Sequence, residues 1–424
     1  MGQDASAVPR RVAAPAAGGQ PGGSLAQNGA PPPRKRRRWA FLSTALLLGL
    51  VFAAVLLEVA FRSFWEPPAW FTELQLAGMY VATPDGEMGL QPGFHGTMHA
   101  GDAPTVSVSI NSLGMRGAEL GAKVQGERRV LVAGDSLVFG HGVEAQQALP
   151  ERLAAQLRKQ GLVVTAGNTG VPSYGCSHAV THMAHLAPRF SADAFVLCTF
   201  LGNDAMDEVN PERTAYAGLM LLGPMVRLVN TSWRARLAMR SRAALWLEAW
   251  ILTNWPSQSP LTQLPPDPEQ EKRSAGMPPE AQQHAGLFLD VIDETKTWAA
   301  GTPPVVPRIA GYVRTALQRA LEVAGKRPLV FVVLPTLWQV DEQKRVAELQ
   351  RLGFAPAEFE RGRAQSRWLA VAKELGIPAF DATPVLAAEP DPEQLYFADG
   401  GHLSVRGNEV VAKWLATELA PLLK

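Results

Sequence analysis

The sequence predicts an α/β protein with a mainly parallel, doubly wound five-stranded sheet. Two observations carry this. From residue 128 onward, short β-branched runs alternate with helical stretches, and the glycine-rich polar segments fall where those runs end. Alternating strand and helix signals indicate βαβ units, and such sheets build their sites at the carboxyl ends of the strands.

The elements follow in order. "RRVLVAG" (128–134) is a β-branched run ending in glycine, the first strand. "LPERLAAQLRKQG" (149–161) reads as a helix, with Pro150 in its first turn and Gly161 past its end. "LVVTAGN" (162–168) is the second strand, and "GCSHAVTHMAHLAPR" a helix that Pro188 is expected to stop. "ADAFVLCTFLGND" (192–204) is the third strand. The helical stretch 307–326 precedes a fourth strand, "PLVFVVLPT" (328–336), and the helix 358–376 precedes a fifth, "IPAFDA" (377–382). The last helix, from about Ser404, places Val410, Val411, Trp414 and Leu415 on one face with Leu419 at its edge, interrupted by Glu418.

The chain has 424 residues and a formal net charge of +1, which gives no global pull toward nucleic acid. Residues 1–38 read as a cytoplasmic tail rich in Ala, Gly, Pro, Gln and Ser, ending in the basic run Arg34–Arg38. From Trp39 to Phe61 only Glu58 is charged, and the length suits a single bilayer crossing. The basic run on its amino side predicts an N-terminus inside and the remainder outside the cytoplasm, in a bacterial inner membrane once the family resemblance below is added. Trp39, Trp65 and Trp70 are candidate interface anchors. Residues 62–127 form a connecting region, in which Val106–Ile110 alternate as a half-buried strand. Residues 128–424 form the main domain, interrupted by an insertion over 205–327. Within it, 213–252 interleaves six arginines with Trp233, Trp246 and Trp250, the composition of an interfacial amphipathic helix or of a helical cap. Cys176 and Cys198 are too few to staple the fold, and two buried thiols are expected.

Chemistry centres on "AGDSLVFGHG". Ser136 follows Gly134-Asp135 at the end of the first strand. A serine hydroxyl needs a base to become a nucleophile, and Gly-Asp-Ser alone is common in turns. "YFADGGHLS" supplies Asp399 and His402 just before the last helix, an orienting carboxylate and a general base. Gly170, after the second strand, offers a backbone N–H, and Asn203, after the third, a side-chain amide for a developing oxyanion. His178, His182 and His185 share a helix face, but no acidic residue accompanies them as in a metalloprotease motif, so they read as structural and no metal or other cofactor is called for.

Gly134-Asp135-Ser136, Gly170, Asn203 and Asp399-x-x-His402, in that order, resemble the SGNH (GDSL-type) hydrolase family, and "INSLGMRG" (110–117) resembles its membrane-anchored bacterial members. The resemblance covers roughly 128–204 and 328–424. It implies a flavodoxin-like three-layer α/β/α sandwich and a Ser136–His402–Asp399 triad. It further implies an oxyanion hole from the Ser136 and Gly170 N–H groups and the Asn203 side chain, with Asp135 and Gly134 supporting from behind.

The resulting expectation is an exported, membrane-anchored esterase acting on O-acetyl or short-acyl esters of envelope glycans or lipids. Its membrane contact is through 39–61, with 213–252 as a second candidate. An O-acetyltransferase using the same triad, and a non-catalytic envelope scaffold, are the alternatives.

Overall fold

The computed structural model describes residues 34–65, 78–83, 87–99, 103–209, 213–259, 305–351, 355–358 and 362–424. The tail 1–33, Trp70 and residues 260–304 of the insertion lie outside the described residues. The chain divides into two units, 1–57 and 58–424. In the first, the described residues are helical, part of one helix, Arg34–Phe64, whose stretch Arg38–Phe64 is long and apolar enough to cross a membrane.

The second unit holds eleven described strands. In the connecting region, β1 (Tyr80–Ala82) pairs with β2 (Met88–Leu90), and β3 (His95–Met98) with β4 (Val106–Ser109), both antiparallel. The main sheet has the order β11-β10-β7-β5-β6, from β5 (Arg128–Ala133), β6 (Val164–Asn168), β7 (Ala194–Phe200), β10 (Leu329–Leu334) and β11 (Ala379–Asp381). Every pairing in it is parallel, with Leu131 opposite Gly167 on β6 and Phe195 on β7.

Side chains alternate across the strands and feed two cores. Leu131, Ala133, Phe195, Leu197, Phe331 and Val333 face one side, where helices Cys176–Phe190, Val305–Ala324 and Arg363–Glu374 cover them. Val130, Val132, Val196, Val330 and Val332 face the other, under helices Leu149–Lys159 and Val405–Leu423. This is the three-layer α/β/α arrangement. Each of these side chains is almost fully buried, worth about 1.5–3 kcal/mol apiece for the larger ones. The two-sided burial explains why the strands read as unbroken apolar runs.

Three local expectations are corrected. Pro188 does not stop its helix, which continues to Phe190 and ends where Ser191 turns left-handed (φ 56°); a proline in the last turn leaves one carbonyl unbonded without breaking the turns before it. The last helix buries Val411, Ala412, Leu415, Ala416, Leu419, Ala420 and Leu423, so Glu418 lies off the buried face, and Val410 and Trp414 are only partly covered. The start of the arginine-rich stretch is a hairpin, not a helix. β8 (Arg213–Tyr216) and β9 (Leu219–Leu222) are joined by Ala217 and Gly218, both at positive φ (53° and 80°), the geometry a two-residue hairpin turn needs.

Beyond the hairpin, helices Pro224–Thr231, Trp233–Ala238 and Arg242–Asn254 share a small core around Leu219, Leu221, Val229, Ala235 and Leu245. Several arginines there have partners: Arg234 grips Glu248 at 2.8 and 3.0 Å, and Arg240 lies 4.8 Å over the Tyr216 ring. Glu58 caps helix Arg242–Asn254, accepting from Ser241 Oγ (2.7 Å) and the N–H groups of Arg242 (3.0 Å) and Ala243 (3.2 Å). The Phe61 ring sits 5.1 Å from that of Trp246. Cys176 and Cys198 are buried free thiols.

Candidate active site

Ser136 opens a single helical turn, Ser136–Phe139, at the carboxyl end of β5. A Cβ on Gly134 would stand 2.6 Å from Val138 Cγ2 and 3.1 Å from the Cys198 carbonyl, so only glycine lets the strand bend into this turn. Asp135 caps the turn, its Oδ1 accepting from Leu137 N–H at 3.0 Å. The turn closes at Gly140 (φ 88°), whose N–H donates to the Ser136 carbonyl at 2.9 Å.

The loop before the last helix brings its two residues onto this turn. His402 Nε2 is 2.9 Å from Ser136 Oγ, and His402 Nδ1 is 2.5 Å from Asp399 Oδ2. Asp399 is itself fixed: its Oδ1 accepts from the N–H groups of Gly401 and His402, each at 2.9 Å. Burial works to raise the Asp399 carboxyl, but the hydrogen bond and charge of His402 and those two N–H groups outweigh it and hold the group down to about 2. Asp399 is thus ionised at neutral pH and fixes the imidazole tautomer that points a bare Nε2 at the serine.

Asp135 lies behind the serine, its Oδ2 3.3 Å from Ser136 Oγ. Burial raises its carboxyl to about 6 against the opposing Leu137 N–H and the charge of His402.

Of the three expected oxyanion donors, Asn203 and Gly170 fare differently. Asn203 lies in the turn after β7, half-buried, with Nδ2 donating to Asp207 Oδ2 at 2.7 Å and, among the described residues, one amide hydrogen left over. Gly170 requires a correction. Its N–H is not a free donor; it bonds to Asn168 Oδ1 at 3.0 Å, because Asn168 at the end of β6 reaches across to both loops, its Nδ2 also holding the Phe139 carbonyl at 3.2 Å. The need for glycine there is steric: a Cβ would meet Phe139 N at 2.2 Å and Asp135 O at 2.8 Å. Gly170 is a seat for the Ser136 turn.

Two residues at the site were not singled out from the sequence. His141 stacks beside His402, ring centres 4.4 Å apart. Burial, the His402 charge and that of Arg116 lower its pKa to about 3 despite Asp399 nearby, so it is neutral. Arg116 braces the loop that carries His141, donating to the carbonyls of Phe139 (2.9 Å), Gly140 (2.5 Å) and Val143 (2.6 Å). Glycines on either side of His141, and an arginine inside "INSLGMRG", were the available signals. His178 and His182 lie away from this cluster, buried against Tyr174 at 5.7 and 5.8 Å. Burial, with the Arg213 charge, lowers His178 to about 3.

No protein-family model matches the chain, and no curated protein matches it. Solved structures similar to it include a lipase/acylhydrolase from Enterococcus faecalis (13% identity, 70% of this chain and 97% of that one, TM-score 0.37). A member of the lipolytic protein G-D-S-L family from Veillonella parvula is similar at 13% identity, 69% and 97% coverage and TM-score 0.32. The psychrotrophic esterase EstA from a Pseudoalteromonas species is similar at 7% identity, 69% and 95% coverage and TM-score 0.32.

Proposed function

We propose that the chain is a membrane-anchored serine esterase that cleaves O-acetyl or short-acyl esters of envelope glycans or lipids outside the cytoplasm. The observation that carries the chemistry is the unbroken Ser136–His402–Asp399 hydrogen-bond chain. His402 Nε2 takes the Ser136 proton as Oγ adds to the ester carbonyl. The Ser136 N–H and the free hydrogen of the Asn203 amide receive the oxyanion. Collapse expels the alcohol, which leaves with the proton from His402, and an acyl-Ser136 remains. His402 then deprotonates a water, which releases the acid and restores Ser136.

Anchoring rests on Arg38–Phe64, 27 residues that span about 40 Å as a helix, beyond the roughly 30 Å of a hydrocarbon core. The insertion is read as touching the same membrane surface. Trp233, Leu247, Trp250 and Trp255 are exposed at 67, 47, 41 and 56%, an aromatic display suited to headgroups. Binding of residues 62–424 to anionic vesicles supports that contact, and absence of binding removes it.

The activity is tested with short-acyl nitrophenyl esters. Ser136→Ala and His402→Ala each abolish hydrolysis; unchanged activity in Ser136→Ala overturns the reading. Adding a glycan acceptor separates hydrolysis from transfer, because a transferase yields acylated glycan in place of free acid.

A further inference from the structure

Among the described residues, Asn203 is pinned on one side only, by its bond to Asp207 Oδ2. The terminal torsion of an asparagine is broad, so the aim of its remaining N–H depends on where Asp207 stands. Burial pushes the Asp207 carboxyl up to about 7, opposed by the Arg213 charge and aided by Asp135 and Glu208. A carboxylate so placed needs a cation to remain a steady acceptor.

Arg213 meets that need from the insertion. Its Nη2 donates to the Asp207 carbonyl at 2.9 Å and stands 3.5 Å from Oδ1, while Nη1 donates to the Ser173 carbonyl. Ser173 lies on the loop after β6 with φ 64°, a left-handed conformation that disfavours a side-chain-bearing residue by about 1–2 kcal/mol. Such a conformation persists only where its surroundings hold it. The Arg213 side chain is 2% exposed, unusual for the first residue of an inserted hairpin. A planar guanidinium with fixed donors suits a clamp on two carbonyls and a carboxylate.

We propose that Arg213 is a positioning residue, through which the insertion aims the Asn203 amide by way of Asp207 and locks the Ser173 loop beside it. The role rests on the esterase reading above. The insertion is therefore part of how the site is held.

The test is a double-mutant cycle in the full-length protein, reading kcat, KM and thermal midpoint on a short-acyl nitrophenyl ester. Asn203→Ala lowers kcat about 10²–10³-fold, as loss of an oxyanion donor does. Arg213→Met lowers kcat about 10–100-fold with KM within about threefold, because the donor acts on the transition state. In the Asn203→Ala background, Arg213→Met adds less than about threefold, since its effect runs through the missing amide. Arg213→Lys falls between wild type and Arg213→Met. If Arg213→Met does not fold, Arg213→Lys and Asp207→Asn carry the same cycle. Losses that multiply in the Asn203→Ala background, or a raised KM with intact kcat, overturn the role, as does an Arg213→Met enzyme as active as wild type. A wild-type protein inert toward esters overturns the esterase reading and the role falls with it.

Discussion

The imidazole of His141 stacks against that of His402, with ring centres 4.4 Å apart and planes inclined by 33°. Because His141 stays neutral down to about pH 3, it confines the His402 ring without adding a charge that would oppose the imidazolium of the proposed mechanism. His141→Phe, which keeps a flat ring, is expected to retain activity within about threefold, and His141→Ala to lose about tenfold in kcat, a loss of orientation rather than of chemistry. Steady-state kinetics on a nitrophenyl ester checks both.

Asp399 fixes the other edge of the same ring. Asp399→Asn is expected to lower kcat about 10⁴-fold by favouring the wrong tautomer. It also has a stability signature. The folded carboxyl, at about 2, lies below its ordinary 3.8, so its stabilisation is present above pH 4 and is lost as pH falls toward 2. Urea unfolding at pH 4 and pH 2.5 should show a decline across that window in wild type that is smaller in Asp399→Asn.

Arg116 braces the loop after the Ser136 turn through the carbonyls of Phe139, Gly140 and Val143. Burial lowers its pKa to about 10, with Glu144 opposing, so it remains cationic at neutral pH. Arg116→Met removes the donor to the Val143 carbonyl and leaves Phe139 and Gly140 with one partner each, Asn168 Nδ2 and Val143 N–H, and is expected to destabilise by about 2 kcal/mol, read as a lowered urea midpoint. Arg116→Lys, with no fork, should recover only part.

Gly170 and Gly161 form a contrasting pair. An added methyl at Gly170 collides with the Phe139 amide at 2.2 Å, so Gly170→Ala is expected to cost about 3 kcal/mol and to lower kcat by displacing Ser136. Gly161 has open space around its Cβ position and φ 86°, so Gly161→Ala pays only the left-handed backbone term, about 1 kcal/mol, with unchanged kcat. Denaturation and ester turnover together separate the two.

The sheet was legible because its strands are buried on both faces and its helices carry plain boundary residues such as Pro150 and Ser404. Ser136, Asp399 and His402 were legible because each sits in a short loop at a strand end or before a helix, where residue type and chain order suffice. The engagement of the Gly170 N–H was not. Whether the Gly170 N–H is free depends on the side chain of Asn168, two residues away, which folds back onto it. Arg213 was hidden for a related reason. Among six arginines it read as part of an amphipathic helix or a helical cap, whereas the left-handed pair Ala217-Gly218 closes a hairpin of which it is the first residue. The local pattern specified the strands and the residues that meet at Ser136, and tertiary contacts decided the hydrogen bonds around them.

The central claim is that Ser136 Oγ becomes acylated. Intact-protein and peptide mass spectrometry after an acid quench, with a nitrophenyl acetate substrate, tests it most directly. One acetyl group is expected on the peptide containing Ser136, absent in Ser136→Ala and slow to form in His402→Ala. Ester hydrolysis that proceeds undiminished in Ser136→Ala, with no adduct on that peptide in wild type, would contradict it.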